Sequence, residues 1–264
     1  MKLICSTIIL SSFFNLALAQ SLRRSLMPQS SFNYEIVGTP QISDVSRTVP
    51  AGYSITFTNR WTEDNHPYEY PSRAHWSDFV YASHSAGYQM WCSGCFASAG
   101  VESIAEEGQT GTLIEEIEDK QVLGTVLDQV LGLFIPRATD GRASSPRKDL
   151  CVDETHPYVS AISMIAPTPD WFSGLYDLRL WDQSTKNWYE KIELNVYAWD
   201  AGTEEGSGYS LDNIETDPPE GISPFMAGET ADAVFVSVGS GGLQVMPVAT
   251  LTFELQESSK KCNN

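Results

Sequence analysis

Three acidic side chains stand where apolar runs end and loops begin, and their spacing suits a hard cation. Asp170 follows the apolar run Tyr158 to Ile165 and is flanked by Pro169. Asp200 follows the run Ile192 to Tyr197 and opens a loop that contains Gly202, with Glu204 four residues after Asp200. A glycine between two acids lets the chain curl both carboxylates toward one point. Calcium takes about six to eight oxygen ligands from carboxylates, backbone carbonyls and water. Three converging carboxylates with carbonyls from the same loops meet that demand, and Glu205 is an alternative ligand beside Glu204. From the residues alone a plainer account stands next to this one: Asp170 caps a turn, and Asp200 and Glu204 are solvated loop acids.

Other chemistries find less support. The chain has no Gly-x-Ser-x-Gly, no His-Glu-x-x-His and no phosphate loop. Ser240, between Gly239 and Gly241, reads as a turn. A secreted hydrolase such as a glycosidase needs only a spaced pair of carboxylates, but no pair stands out, so a non-catalytic role is expected. His66, His75, His84 and His156 with Cys92 and Cys95 make a weak zinc set, because Cys-x-x-Cys occurs once without a second pair. Structural, hydrogen-bonded histidines are expected instead. Trp61, Trp76, Trp91, Trp171, Trp181, Trp188 and Trp199 offer faces for stacking on sugars, but large aromatics mostly go to cores and loop anchors. Glu106, in Ala105-Glu106-Glu107-Gly108, either shapes a turn or meets a partner, and the turn is the expectation.

The charge balance narrows the function further. Lys and Arg total 16 against 34 Asp and Glu, a formal net charge of -18. That excludes a general nucleic-acid binder, which needs clustered cations for phosphates, disfavours anionic membranes and suits cations. With 264 residues, 42% of them apolar, the length suits one large domain or two small ones, and because no linker divides the chain a single domain is expected.

Residues 1–19 read as a secretory signal peptide: Lys2, an apolar stretch from Leu3 to Leu18, and the small-x-small site Ala17-Leu18-Ala19. Residues 20–31 are a Ser-rich leader with Arg23-Arg24, residues 32–256 the folded domain and residues 257–264 a polar tail. No later run is long enough for a membrane span. Cys5 leaves with the signal peptide, and Cys92, Cys95, Cys151 and Cys262 remain for two disulfides. Three connectivities are open. Long-range pairing, with Cys92 and Cys95 each bonded to one of Cys151 and Cys262, is expected because long loops gain most. Local closure of Cys92 with Cys95 is the alternative.

The elements that position these residues are mostly strands. Phe32, Tyr34 and Ile36 alternate with polar residues, as do Ile55 and Phe57, then Ile192, Leu194 and Val196, and finally Ala249, Leu251, Phe253 and Leu255. Ala233 to Val238 is β-branched and apolar, and Tyr158 to Ile165 fits a central strand. Val101 to Glu107 suits a short helix, and Val122, Leu123, Val126, Leu127, Val130 and Leu131 recur as a helical stripe. Short alternating strands separated by turn residues predict an all-β fold, an antiparallel β-sandwich with short helical insertions.

Four blocks then resemble the spondin domain family in order. They are Trp61 to Ser77, with His84 after it; Met90 to Gly108; Ser163 to Phe172; and Trp199 to Gly206. The resemblance implies a sandwich of C2-like topology with eight strands and a bound calcium ion. It assigns metal-binding acids to the loops that hold Asp170, Asp200 and Glu204. Where the family loop reads Asp-Ala-Gly-Thr-Asp, this chain has Glu204, which reaches one methylene further. The resemblance also implies a secreted adhesion module that meets an extracellular-matrix or cell-surface ligand, protein or glycan, without catalysis.

Overall fold

The computed structural model describes residues 33–135, 141–226, 233–239, 242–256 and 262; the signal peptide, the leader, Phe32, Ser240 and the tail other than Cys262 fall outside them. Two seven-stranded sheets carry the fold. The first holds β1 (Tyr34–Ile36), β2 (Gln41–Ser46), β3 (Ala51–Asn59), β7 (Ala143–Ser144), β8 (Leu150–Val152), β11 (Asn187–Val196) and β16 (Ala249–Gln256). Its main path runs β1-β11-β16-β3-β7. The second holds β4 (His75–Trp76), β5 (Val80–His84), β6 (Val126–Leu131), β9 (Tyr158–Ala166), β10 (Trp171–Arg179), β12 (Ala198–Asp200) and β13 (Ser223–Pro224), with the path β13-β12-β10-β9-β5-β6. A separate hairpin pairs β14 (Val236–Gly239) with β15 (Gly242–Val245). All of these pairings are antiparallel. Among the described residues, eight strands have five residues or more: β2, β3, β5, β6, β9, β10, β11 and β16.

The two sheets bury their strands differently, and the residue patterns show why. Along β3, Ile55 and Phe57 are buried while Ser54, Thr56 and Thr58 are partly open, and β11 and β16 alternate in the same way. These strands put one face into the core and the other toward solvent. β9 is buried along nearly its whole length, because two helices cover the outer face of its sheet. Ile104, Ala105, Leu113 and Ile117 from those helices cluster with Val80, Ile162, Phe172 and Trp199 from the sheet. The continuous apolar run of β9 is therefore the signature of a strand covered on both sides.

The helices are α1 (Ala99–Glu107) and α2 (Gly111–Val122). Ser98 caps α1, accepting from the Val101 amide at 3.3 Å. Glu116 of α2 accepts from the Ser98 hydroxyl at 2.7 Å and from the Gly100 amide at 2.8 Å, which locks the pair. The expected helical stripe from Val122 to Leu131 does not form. α2 ends at Val122, which is exposed like Leu123, Gly124 turns the chain at a φ of 71°, and Val126–Leu131 is strand β6. The residues that drive α2 into the core are Leu113 and Ile117, one turn apart and earlier in the chain. The strand expected over Ala233 to Val238 starts at Val236, after a turn through Phe235.

The disulfide expectation is corrected as well. Cys92 bonds to Cys95 and Cys151 to Cys262, with Cα separations of 5.3 and 5.5 Å. The Cys92–Cys95 turn is tight enough for local closure, as the Cys95 amide donates to the Cys92 carbonyl at 3.1 Å. Cys262 packs beside Gly52 of β3.

Candidate functional site

Strand register places the sequence-derived acids together. β10 and β12 pair with Trp171 opposite Asp200. Asp170 and Ala201 therefore leave the sheet side by side, and the Ala201 amide donates to the Asp170 carbonyl at 3.2 Å. Asp170 is fully buried. Its Oδ2 accepts from the amides of Thr203 at 2.8 Å and Glu204 at 3.1 Å, and from the Thr203 hydroxyl at 3.4 Å. Its Oδ1 is buried and makes no hydrogen bond among the described residues. A buried carboxylate oxygen without a partner is costly, so this atom is the one that most needs an outside partner.

The loop after Asp200 is built around a glycine. Gly202 has a φ of 73°, and a Cβ there would stand 2.6 Å from the Glu220 carbonyl oxygen. Only glycine allows both the turn and the approach. Asp200 Oδ1 accepts from the Gly202 amide at 2.8 Å, and the Glu220 amide donates to the Gly202 carbonyl at 2.8 Å. Further bonds from Thr216 to Thr203 at 2.9 Å and from Glu205 to Ile214 at 2.7 Å hold the loop against the returning chain. Glu205, the alternative ligand, is exposed, whereas Glu204 is buried.

Charge at this end is unbalanced. Burial, and then the charge of Asp170, push Asp200 up to about 6. Burial pushes Glu204 up to about 7, followed by the charges of Glu106, Asp170, Glu107 and Glu102. Glu106, near the end of α1, is raised by burial and by Glu102, Asp170 and Glu107, against a hydrogen bond from the Thr203 side chain. Glu106 is the residue that sequence reasoning left aside as a turn former. Its signal was the Ala-Glu-Glu-Gly block, but only packing of α1 against the 203 loop makes it part of this cluster.

The three predicted acids thus share one end of the sandwich, yet their carboxylates do not meet at a point. As the side chains stand, no three acidic, thiol or imidazole groups among the described residues are gathered closely enough to hold a metal ion. The residues nonetheless fit a hard cation in kind: a buried, unpartnered oxygen on Asp170, two carboxylates raised by burial and like charge, and loop carbonyls beside them.

The rival sites resolve differently. The cysteines are consumed in disulfides, and His75 and His156 hydrogen-bond to the Arg73 carbonyl and to Asp153 at 2.7 and 2.9 Å. His66 is buried near Phe235, and burial lowers it to about 4 although the backbone of Met246 and Thr62 opposes the shift in part. Among the described residues, neither of its ring nitrogens has a partner in hydrogen-bond geometry. Ser160, His84 and Asp177 have the residue types of a nucleophile triad. However, Ser160 at 2.8 Å and Asp177 at 3.9 Å both approach Nε2 of His84, while Nδ1 bonds to the Ser85 carbonyl at 2.9 Å. A triad needs the acid on the opposite ring nitrogen, and Ser160 is fully buried. Six of the tryptophans, Trp61, Trp76, Trp91, Trp171, Trp188 and Trp199, are buried, as expected for core anchors.

An antiparallel sandwich with a helix pair over one sheet and an acidic loop cluster at one end is the class these features define. The family model Spondin_N matches residues 51–238, and the chain belongs to that family. Human Spondin-1 is 32% identical over 254 residues, which cover 92% of this chain and 30% of that protein. Human Spondin-2 is 35% identical over 176 residues, 66% of this chain and 52% of that protein. Rat Spondin-2 is 32% identical over 206 residues, 77% of this chain and 61% of that protein. The chain therefore spans about a third of Spondin-1 and somewhat over half of Spondin-2.

Proposed function

We propose that this chain is a secreted, non-catalytic binding module of the extracellular space that uses calcium to set the shape of the sandwich end formed by the 170 and 200–206 loops. Membership in the spondin family and two disulfides support the compartment. No helix among the described residues is long and apolar enough to cross a membrane. The observation that carries the reading is the buried Oδ1 of Asp170, unpartnered beside two further carboxylates. Asp170, Asp200 and Glu204 would hold the ion, with Glu106 close enough to add its charge. Calcium would neutralise repelling acids and tie the strand ends of β10 and β12 to one loop. The ordered end is then the surface offered to a matrix or cell-surface ligand, protein or glycan.

Thermal melting tests this reading. Extracellular calcium modules bind with Kd values of roughly 0.1–1 mM, so about 2 mM calcium would stabilise the fold by roughly 0.6–1.8 kcal/mol. The melting temperature should rise by a few degrees in calcium and fall back in chelator. Asp200→Asn should fold and lose that response. Identical melting of the wild type in calcium and in chelator contradicts the reading.

A further inference from the structure

We propose that the Cys92–Cys95 bridge is a reversible thiol–disulfide site, opened by an extracellular dithiol, whose opening releases the segment that braces the acidic loop. The two disulfides differ in reach. Cys92–Cys95 spans a sequence separation of 3 and Cys151–Cys262 one of 111. A short loop constrains the unfolded chain little, so the fold depends far less on the first bridge than on the second. All four bridged cysteines are half-buried, so exposure of the sulfurs does not separate the bridges; the residues between Cys92 and Cys95, Ser93 and Gly94, are exposed, which leaves the first within reach of an attacking thiolate. On one side of the turn Trp91 is anchored, its Nε1 donating to the Ala161 carbonyl at 3.1 Å and its ring edge-on to Phe172 and Trp199. The fold therefore keeps its hold on the turn when the bridge opens.

The turn is wired to the acidic loop through one short segment. The Gly94 amide donates to the Ile222 carbonyl at 2.7 Å, and the Ile222 amide donates to the Cys95 carbonyl at 2.8 Å. A Cβ on Gly221 would stand 3.0 Å from the Gly94 oxygen, so the two backbones are in close contact. The next residue back, Glu220, donates its amide to Gly202 at 2.8 Å, and Gly202 lies between Asp200 and the Thr203 amide that bonds Asp170. Closing the bridge fixes the carbonyl of Cys95 and the amide of Gly94 in the geometry that Ile222 requires. Opening it lets the turn widen, and both bonds to Ile222 loosen with it.

The exchange balances in two steps. A thiolate of the dithiol attacks one sulfur of the bridge; a mixed disulfide forms and the other cysteine leaves as a thiolate, which takes up a proton. The second thiol of the reductant then attacks the mixed disulfide and frees the remaining cysteine. Two electrons and two protons pass to Cys92 and Cys95, and the reductant departs as its own disulfide.

The probe is dithiothreitol, added in graded amounts to the native protein, with alkylation by iodoacetamide and peptide mass mapping. Cys92 and Cys95 should be labelled at concentrations at least tenfold below those that open Cys151–Cys262. Amide exchange at Gly94, Glu220, Ile222 and Thr203 should speed up about tenfold or more and return to its starting rate on reoxidation. The Cys92→Ser, Cys95→Ser double variant should exchange like the reduced protein. Opening of both bridges together overturns the proposal, as does unchanged exchange at Ile222 after reduction. Only one further readout rests on the calcium reading: apparent calcium affinity should fall at least threefold on reduction, and an unchanged affinity removes the link to the acidic loop. Should the oxidised protein bind no calcium at all, the proposed function fails, while the redox site is still decided by labelling and exchange.

Discussion

At the start of β10, Asp170 stands with Asp200, Glu204 and Glu106; at its far end, about 30 Å along the strand, Arg47, Arg179 and Lys186 surround Trp181. Both ends gather like charges, but they settle them differently. At the basic end the cations lie 4.6, 5.0 and 4.9 Å from the Trp181 ring centroid. Arg47 also pairs with Glu154 at 3.0 Å, and Arg179 bonds the Trp181 carbonyl at 3.3 Å. Indole and carboxylate partners within the chain absorb the charge there. At the acidic end the neighbours of each acid are mainly other acids, and burial with mutual repulsion raises Asp200 and Glu204. One end is internally balanced; the other keeps like charges beside one another, which is the imbalance the calcium proposal addresses. The ring of Trp181 is also met by three cations, so this half-buried tryptophan is not an open platform for a sugar.

The largest way to disturb this contrast is Asp170→Ala. It leaves the amides of Thr203 and Glu204 without their acceptor, at a cost of about 2–6 kcal/mol from two buried donors, offset in part by removal of the unpartnered Oδ1. Chemical denaturation in chelator should show that loss. A change under 1 kcal/mol would mean that the loop does not depend on Asp170.

A second experiment separates core titration from the acidic end. The native state holds His66 at about 4, against an ordinary 6.5 in the unfolded chain. Between those values the unfolded chain takes up a proton that the native state refuses. Stability from His66 is therefore full above pH 6.5 and falls as pH drops toward 4, by about 3 kcal/mol in all. Subtracting the pH–stability curve of His66→Phe from that of the wild type isolates this loss, since the acids at the β10 end are common to both. A flat difference curve would refute the burial of a neutral His66.

The smallest effect is expected at the basic end. Arg47→Ala should cost about 1 kcal/mol or less, from a half-exposed cation–π contact and a surface ion pair. The calcium-induced shift in melting temperature should be unchanged in this variant. A lost calcium response would show that the two ends are coupled.

The parts of this arrangement that were legible in sequence are those governed by local rules. Ile55 and Phe57, or Leu251 and Phe253, alternate with polar residues because one face of their sheet meets solvent. The turn after Asp200 was legible too, because Gly202 there takes a φ of 73° that favours glycine. The errors arose where distant parts of the chain decide. Val122 to Leu131 has helical spacing, but Gly124 breaks the helix and pairing with β5 claims Val126–Leu131 as a strand. Cys92 closes locally on Cys95, in a turn whose Gly94 and Cys95 also bond to Ile222, far along the sequence. Glu106 joins the acids only through the packing of α1, which residue spacing does not encode.

Calorimetric titration of calcium into the oxidised, chelator-stripped protein tests the central claim most directly. One ion per chain is expected, with a Kd of roughly 0.1–1 mM, heat that vanishes in Asp170→Asn and Asp200→Asn, and an unchanged isotherm in Arg47→Ala. Absence of binding up to ~10 mM, above the weak end of that range, or equal binding by the wild type and Asp200→Asn, would contradict the account.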